Sequence, residues 1–217
     1  MGRTILSPQR LADTKKANIG QIIIFCEGIT EKHYFDYFAD IIKKNKYTDI
    51  KVEIESANGN AQKVLNYANE FLEVEENNRK FRFYDKYLVF DCDAPKNIQA
   101  VIAASQSKEE PSYRLLLSNY LFETWLLMHF EDIKTKLTKK ETYQRLSLHL
   151  NQQYSKAHKG KIRQIINTGN IEKAIDNGRN LDVSYLNQGK SIFIDIKEMN
   201  PYSNVYTLIE QFLVQIS

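Results

Sequence analysis

Three carboxylates stand where apolar runs stop: Glu27 at the end of IIIFCE, and Asp91 and Asp93 in YLVFDCDAP. Each run reads as a strand buried on both faces, the type found in parallel sheets covered by helices. In open sheets of that type, ligands bind just beyond the carboxyl ends of the strands. Two strands that both end on carboxylates therefore predict an acidic cluster at one edge of a sheet. Carboxylates gathered in one crevice repel one another unless a cation lies between them, and hard oxygen ligands favour Mg²⁺ or Mn²⁺. Residues two apart on an extended strand point the same way, so Asp91 and Asp93 are expected to share one ion. An isolated DxD is better explained by short acidic residues that end strands and begin turns. Glu27 at a matching strand end raises the set to a candidate site.

Further candidates cluster around these. Glu31 follows Glu27 by one helical turn, where the helix dipole favours it, and it is also an auxiliary metal-ligand candidate. His33 in the same turn reads as a surface residue. In SNYLFETWLLMHF, Glu123 near a helix start can project towards the edge that carries the DxD. Phe122, Trp125, Leu126 and His129 lie at helical spacing and read as core, with His129 a satisfied structural histidine rather than a base. The segment YSKAHKGKIR gathers Lys156, His158, Lys159, Lys161 and Arg163 beside Tyr154. Such a run can grip phosphates, with Gly160 permitting backbone approach and Tyr154 stacking on a base. A solvated charge run is its commoner meaning.

Two other enzyme classes place a DxD after a strand. Haloacid-dehalogenase-like phosphotransferases continue Asp-x-Asp-x-Thr/Val on their first strand, whereas here Pro95 stands at the fifth position of a later strand. Glycosyltransferases hold a nucleotide sugar through Mn²⁺, which leaves Glu27 without a role.

The elements that must position these residues follow from periodicity. A strand is expected over 21–26, then a helix capped by Thr30 with Tyr34, Phe35, Phe38, Ile41 and Ile42 on one face. A half-exposed strand follows over 50–55. After the turn Asn58-Gly59-Asn60 comes a helix with Val64, Leu65, Ala68, Phe71 and Leu72 inward. A charged connection over 73–80 leads to a buried strand over 87–90, and Pro95 opens a helix running through Ala104. A strand over 113–117 and a helix over 121–130 complete an alternation that predicts an α/β fold with a mostly parallel sheet. Residues 1–19 read as a basic N-terminal arm and 20–132 as the core. Residues 133–190 read as a polar, helical insertion or appendage with basic connections. Residues 191–217 read as a strand and helix packing back on the core. The strand rests on the alternation of Ile192, Ile194 and Ile196. The helix rests on Ser203 as cap, with Val205, Leu208, Ile209, Phe212, Leu213 and Ile216 on one face.

Composition sets outer bounds. With 217 residues, 42% hydrophobic and 26% charged, the chain can bury a full core. No apolar run approaches the roughly 20 residues of a membrane span, and residues 1–18 lack the apolar block of a signal peptide, so no membrane partner is expected. Cys26 and Cys92, both at strand ends, are expected to be near neighbours and a buried, inert pair, which fits a reduced, cytoplasmic protein. A net charge of +3 does not by itself argue for nucleic acid. Acidic groups gathered in one site would nonetheless leave the remaining surface more basic.

The ordered series CEGITEKHYFDYF, LVFDCDAP, LSNYLFETWLLMHF and NPYSNVYTLIEQF resembles the RloB-like proteins, also called the AbiLii type, a branch of the Toprim superfamily. The likeness runs from residue 20 to the C-terminus. The family pattern reads Ser-Asn-Pro before the Phe-Glu-x-Trp element, and Tyr120 replaces that proline. The resemblance implies a Toprim-like fold, a small parallel sheet flanked by helices. It implies that Glu27 is the Toprim glutamate and that Asp91 and Asp93 are its metal-binding pair. Relatives stand beside ABC-type ATPase partners in phage-defence operons, and Toprim proteins of such systems are nucleases.

The expected activity is therefore Mg²⁺- or Mn²⁺-dependent phosphodiester hydrolysis of DNA or RNA in abortive infection. Asp91 and Asp93 would hold an ion, Glu27 would act as general acid or base or as ligand to a second ion, and Glu31 and Glu123 could complete a second site. The alternative is a non-catalytic nucleic-acid-binding or regulatory subunit that docks an ATPase, with an oligomer possible in either case. A third reading is primase-like nucleotidyl transfer, for which no second nucleotide-binding element is evident.

Overall fold

Every residue of strand β1 (Ile22–Cys26) is buried, as a strand covered on both faces requires. The computed structural model describes residues 20–44, 50–54, 60–93, 98–105, 107 and 111–216. The N-terminal arm, the Asn58-Gly59 turn and Pro95 lie outside them. β1 is followed by helix α1 (Ile29–Lys44) and β2 (Ile50–Ile54). Next come α2 (Ala61–Glu73), α3 (Glu75–Phe81) and β3 (Asp85–Asp91). Then come α4 (Ile98–Ser105), β4 (Arg114–Asn119) and α5 (Phe122–Met128). The polar region forms α6 (Lys139–Leu150), α7 (Lys159–Thr168) and α8 (Ile171–Asn187). A short α9 (Ile192–Asp195), a two-residue β5 (Tyr202–Ser203) and α10 (Tyr206–Ile216) complete the order.

The sheet order is β2-β1-β3-β4-β5, parallel throughout except for the antiparallel β5. The chain leaves β1 towards one side of the sheet and later returns to its other side. The reversal therefore lies between the carboxyl ends of β1 and β3, where open α/β sheets bind ligands.

Alternate strand residues feed opposite cores. Ile23, Phe25, Leu88, Phe90 and Leu117 pack with α2, Phe81 and α4. Ile22, Ile24, Cys26, Tyr87, Val89 and Leu116 pack with α1, α5, α10 and the apolar faces of α6, α7 and α8. The two cysteines thus fall on opposite sides of the sheet, Cys26 in one core and Cys92 in the other, both as free thiols. Sequence proximity to two adjacent strand ends does not decide which face each side chain takes. Beyond β5, the Asn204 side chain continues the edge of β4. Its Oδ1 accepts from Leu117 N at 2.7 Å and its Nδ2 donates to Leu115 O at 3.0 Å.

Several expected elements differ. The charged connection is helix α3, whose Glu75 and Glu76 at the start and Arg79 and Lys80 at the end complement its dipole, while only Phe81 is buried. The expected strand at Ile192, Ile194 and Ile196 is the single helical turn α9. Ser191 accepts from Phe193 N, and Asp195 accepts from Ser191 N at 2.8 Å, closing that turn. Ile196 is buried and Ile194 is 70% exposed, so the alternation does not mark two sheet faces. Ser203 lies in β5, where its hydroxyl meets that of Ser118 at 3.0 Å, and the final helix begins only at Tyr206. Thr30 lies inside α1 rather than capping it. β4 extends beyond the expected strand end at 117 through Ser118 and Asn119, and the following peptide to Tyr120 is cis.

Candidate functional site

Glu27 directly follows β1. Its backbone N–H donates to Val89 O at 3.0 Å and its Oε2 accepts from Asp91 N at 3.0 Å, so the carboxylate lies across the gap between β1 and β3. Asp91 ends β3, and its Oδ1 accepts the N–H of Phe122 at 2.6 Å. Leu121, the N-cap residue of α5, has no side-chain oxygen for that role. This bond ties the strand end to the helix that carries Glu123.

Glu123 is fully buried. Its Oε1 accepts from Tyr154 OH at 3.0 Å and from Tyr143 OH at 3.5 Å. Glu31, in the first turn of α1, is 2% exposed, and its Oε2 is buried without a hydrogen-bond partner. Gly28 leaves room for it, because a Cβ at that position would lie 2.8 Å from Glu31 Oε2. A depression of about 660 Å³ opens beside Tyr143 and Tyr154, bordered also by Lys140, Gln144 and Gln153.

The Lys156 ammonium reaches two of these carboxylates. Lys156 Nζ lies 3.5 Å from Asp91 Oδ2 and 3.7 Å from Glu123 Oε2. Its segment, between α6 and α7, is pinned by the N–H of Ala157, which donates to Thr30 Oγ1 at 3.0 Å. Ala157 adopts a φ of 60°, a conformation that costs an L residue on the order of 1–2 kcal/mol.

Burial dominates the electrostatics. It pushes Glu27 up to about 8, with the Asp91 charge adding and the Asp91 N–H opposing. It pushes Glu31 up to about 7, reinforced by the charge on Glu123. Asp91 is raised by burial and then by Glu31, against Lys156. Glu123 is raised by burial despite Lys156 and the Tyr154 hydroxyl. Burial alone would lower Lys156, but Glu123, Asp91 and Glu31 raise it above its ordinary value. Burial and mutual repulsion disfavour ionisation of these carboxyl groups, and a cation placed among them would offset that cost.

Asp93 stands apart. β3 ends at Asp91, and Asp93 lies in the bend beyond it, exposed while Asp91 is buried. The two therefore do not present side chains from one extended strand, and Asp93 reaches the centre only through its charge on Glu27. Among the described residues, no three carboxylate, imidazole or thiol side chains stand close enough to hold a metal ion as placed. The donor chemistry still fits a hard divalent cation, with oxygen donors, an excess of negative charge and the unpartnered Glu31 Oε2. Glu27, Asp91, Glu31 and Glu123, with Asp93 at the rim, are the residues that would hold one.

The basic segment does not form one face. Lys156 turns into the acidic centre. His158 caps α7 by accepting from Lys161 N. Lys161 Nζ donates to Gln153 O and, at 3.0 Å, to Ser155 Oγ. Lys159 and Arg163 are exposed. Tyr154 is 4% exposed and committed to Glu123, which rules out the expected stacking on a base. His33 is half-buried rather than on the surface, and burial followed by the charge of Lys159 lowers its pKa. His129 is enclosed. Its Nε2 lies 3.1 Å from Tyr34 OH and its Nδ1 3.2 Å from Trp125 O, and burial lowers its pKa to about 4. It is a structural histidine. The inward turn of Lys156 and the two tyrosines on Glu123 had no signal in the sequence, because each depends on how an irregular segment folds back.

No described helix is long and apolar enough to cross a membrane. A family model described as RloB-like protein matches residues 22–212. Neither the curated proteins nor the solved structures contain a match to the chain.

Proposed function

The chain belongs to the RloB-like family, and on that premise we propose that it is a Toprim-type nuclease hydrolysing phosphodiester bonds of DNA or RNA with Mg²⁺ or Mn²⁺. The observation that carries this reading is the buried carboxylate centre at the reversal point between β1 and β3. There Glu27, Glu31, Asp91 and Glu123 interact with one another around the Lys156 ammonium. A bound divalent ion would lower the pKa of an attacking water and offset charge on the leaving oxygen. Glu27 is the candidate general base. Its position nearest the exposed Asp93 gives it access to water, and its raised pKa suits proton exchange near neutral pH. The Phe122 N–H and Glu27 hold Asp91 in place from either side. Tyr154 orients Glu123.

Purified protein would be incubated with plasmid DNA, single-stranded DNA and bulk tRNA, with Mg²⁺ or Mn²⁺ and with chelator. Metal-dependent cutting that Asp91→Asn and Glu27→Gln abolish, without loss of helical content, is the expected result. Cutting that persists in both variants would end the reading.

A second reading is a non-catalytic subunit that docks an ABC-type ATPase. The observation in its favour is that Asp91 and Glu123 already share an ammonium, as a centre without metal would need. Partner binding unaffected by Asp91→Asn, with no cleavage under any metal, would favour it. In either case the defence role and assembly with a partner are part of the proposal.

A further inference from the structure

A cavity of about 520 Å³, a size usual for small-molecule sites, borders Lys86, the second residue of β3. It lies at the amino end of the strand whose carboxyl end carries Asp91, apart from the carboxylate centre. Lys86 is only 7% exposed. Its Nζ donates to Arg82 O and to Tyr84 O, both at 3.1 Å, which fastens the turn between α3 and β3. Those bonds use two of the three ammonium donors. Among the described residues no carboxylate pairs with it. A buried charge answered only by neutral carbonyls is costly, and an anion beside it offsets that cost. Fastening the turn explains two donors and leaves the charge itself unanswered.

The surrounding groups suit an anion that carries a ring. Asn69 borders the cavity, and its Oδ1 accepts from Tyr113 OH at 2.8 Å, so its amide nitrogen is the end left to donate. Arg82 and Phe83 border the same cavity, both exposed, with the guanidinium carbon 5.5 Å from the centre of the Phe83 ring. An exposed phenylalanine alone carries no weight, but here it adds a flat stacking face beside two cationic groups. Leu72 and Phe81 are buried and give the cavity an apolar wall. Among the described residues Glu73 is the carboxylate on the border, and it is exposed, so Lys86 and Arg82 against Glu73 leave one positive charge in excess.

We propose that this cavity binds a nucleoside phosphate, with the phosphate at the Lys86 ammonium, the Asn69 amide and the Arg82 guanidinium as further donors, and the base against Phe83. A phosphate ester supplies the charge that Lys86 lacks, and its oxygens accept the remaining ammonium and amide hydrogens. A planar base covers the exposed ring, and the neighbouring guanidinium adds to that contact. Inorganic phosphate would satisfy the donors but leave the apolar wall wet. This site stands whether or not the carboxylate centre cleaves nucleic acid.

The full chain would be titrated by calorimetry, without metal, with each common nucleoside monophosphate, with adenosine and with inorganic phosphate. The expected result is saturable binding of at least one monophosphate, about tenfold or more tighter than adenosine or inorganic phosphate. Asn69→Asp keeps an oxygen for Tyr113 OH and replaces the donating nitrogen with a second, charged oxygen. The same monophosphate should then bind about tenfold or more weaker, with helical content unchanged. Lys86→Met should abolish binding; because it also loosens the turn after α3, a misfolded Lys86→Met leaves the decision to Asn69→Asp. Binding of no monophosphate at millimolar concentration would overturn the proposal, as would equal binding of adenosine or of inorganic phosphate. Unchanged affinity in Asn69→Asp would overturn it too, since the nucleotide would then sit elsewhere, at the carboxylate centre for instance.

Discussion

Raising the pH should weaken the metal-free protein across a range where most proteins are indifferent. In the fold Glu27 keeps its proton up to about 8, whereas its ordinary value is 4.5. Between those values the native state binds a proton that the unfolded chain has released, so stability falls as pH rises. Glu31, raised to about 7, adds to the slope at the lower end of that range. His129 acts in the opposite sense, but only below its ordinary 6.5, so the window from pH 6.5 to about 8 isolates the acidic centre. One retained proton is worth about 1.4 kcal/mol per pH unit, which gives about 2 kcal/mol over that window. At roughly 2 kcal/mol per M of urea, the unfolding midpoint should fall by about 1 M. Trp125, the single tryptophan of the chain, is fully buried in the helix that carries Glu123 and reports unfolding by fluorescence. Glu27→Gln should flatten the slope, and millimolar Mg²⁺ should restore the midpoint at pH 8 by binding the ionised centre. A midpoint that holds steady or rises from pH 6.5 to 8 without metal would refute the account of the centre, as would a Glu27→Gln protein that keeps the full slope.

Other outcomes follow from single contacts. Tyr154→Phe removes the 3.0 Å hydrogen bond to Glu123 and should cost about 1–3 kcal/mol in urea unfolding, more than Tyr143→Phe, whose bond is 3.5 Å; the reverse order would contradict the geometry. Gly28→Ala places a Cβ 2.8 Å from Glu31 Oε2, so metal-dependent cleavage should drop about tenfold or more, equivalent to about 1.4 kcal/mol in the barrier. Unchanged cleavage with an intact circular dichroism spectrum would remove Glu31 from the centre. His129 stays neutral in the fold down to about 4, so its stability contribution is present above pH 6.5 and lost on acidification towards 4. His129→Gln should flatten that acid limb, and an unchanged limb would assign it elsewhere.

The strand ends that carry Glu27 and Asp91 were legible because wholly apolar runs have few alternatives to a buried strand, and a parallel sheet puts such ends on one edge. Glu123 was legible as a residue near a helix start, though not its complete burial. What placed Glu27 opposite Asp91 N was the register between β1 and β3, which a single sequence does not encode locally. Lys156 was harder still. In YSKAHKGKIR it looks like its charged neighbours, and only the left-handed Ala157 and the bond to Thr30 turn it inward. Asp93 is the opposite case, because period-two reasoning about its direction holds only while the strand continues, and β3 stops at Asp91. Ile192, Ile194 and Ile196 alternate as a strand would, yet the reciprocal bonds between Ser191 and the next turn close a helix first.

The Asn204 amide, seated against Leu115 O and Leu117 N, has a bearing on how the molecule is made. A strand border with unmet N–H and C=O groups is a template on which another chain can add. Here that border is stoppered by a side chain that emerges from the ribosome 87 residues after its backbone partner Leu117. Until then β4 is an open template on a nascent chain. Shortened products ending before residue 200 would keep it open, and they should form strand-added aggregates that the full-length protein avoids.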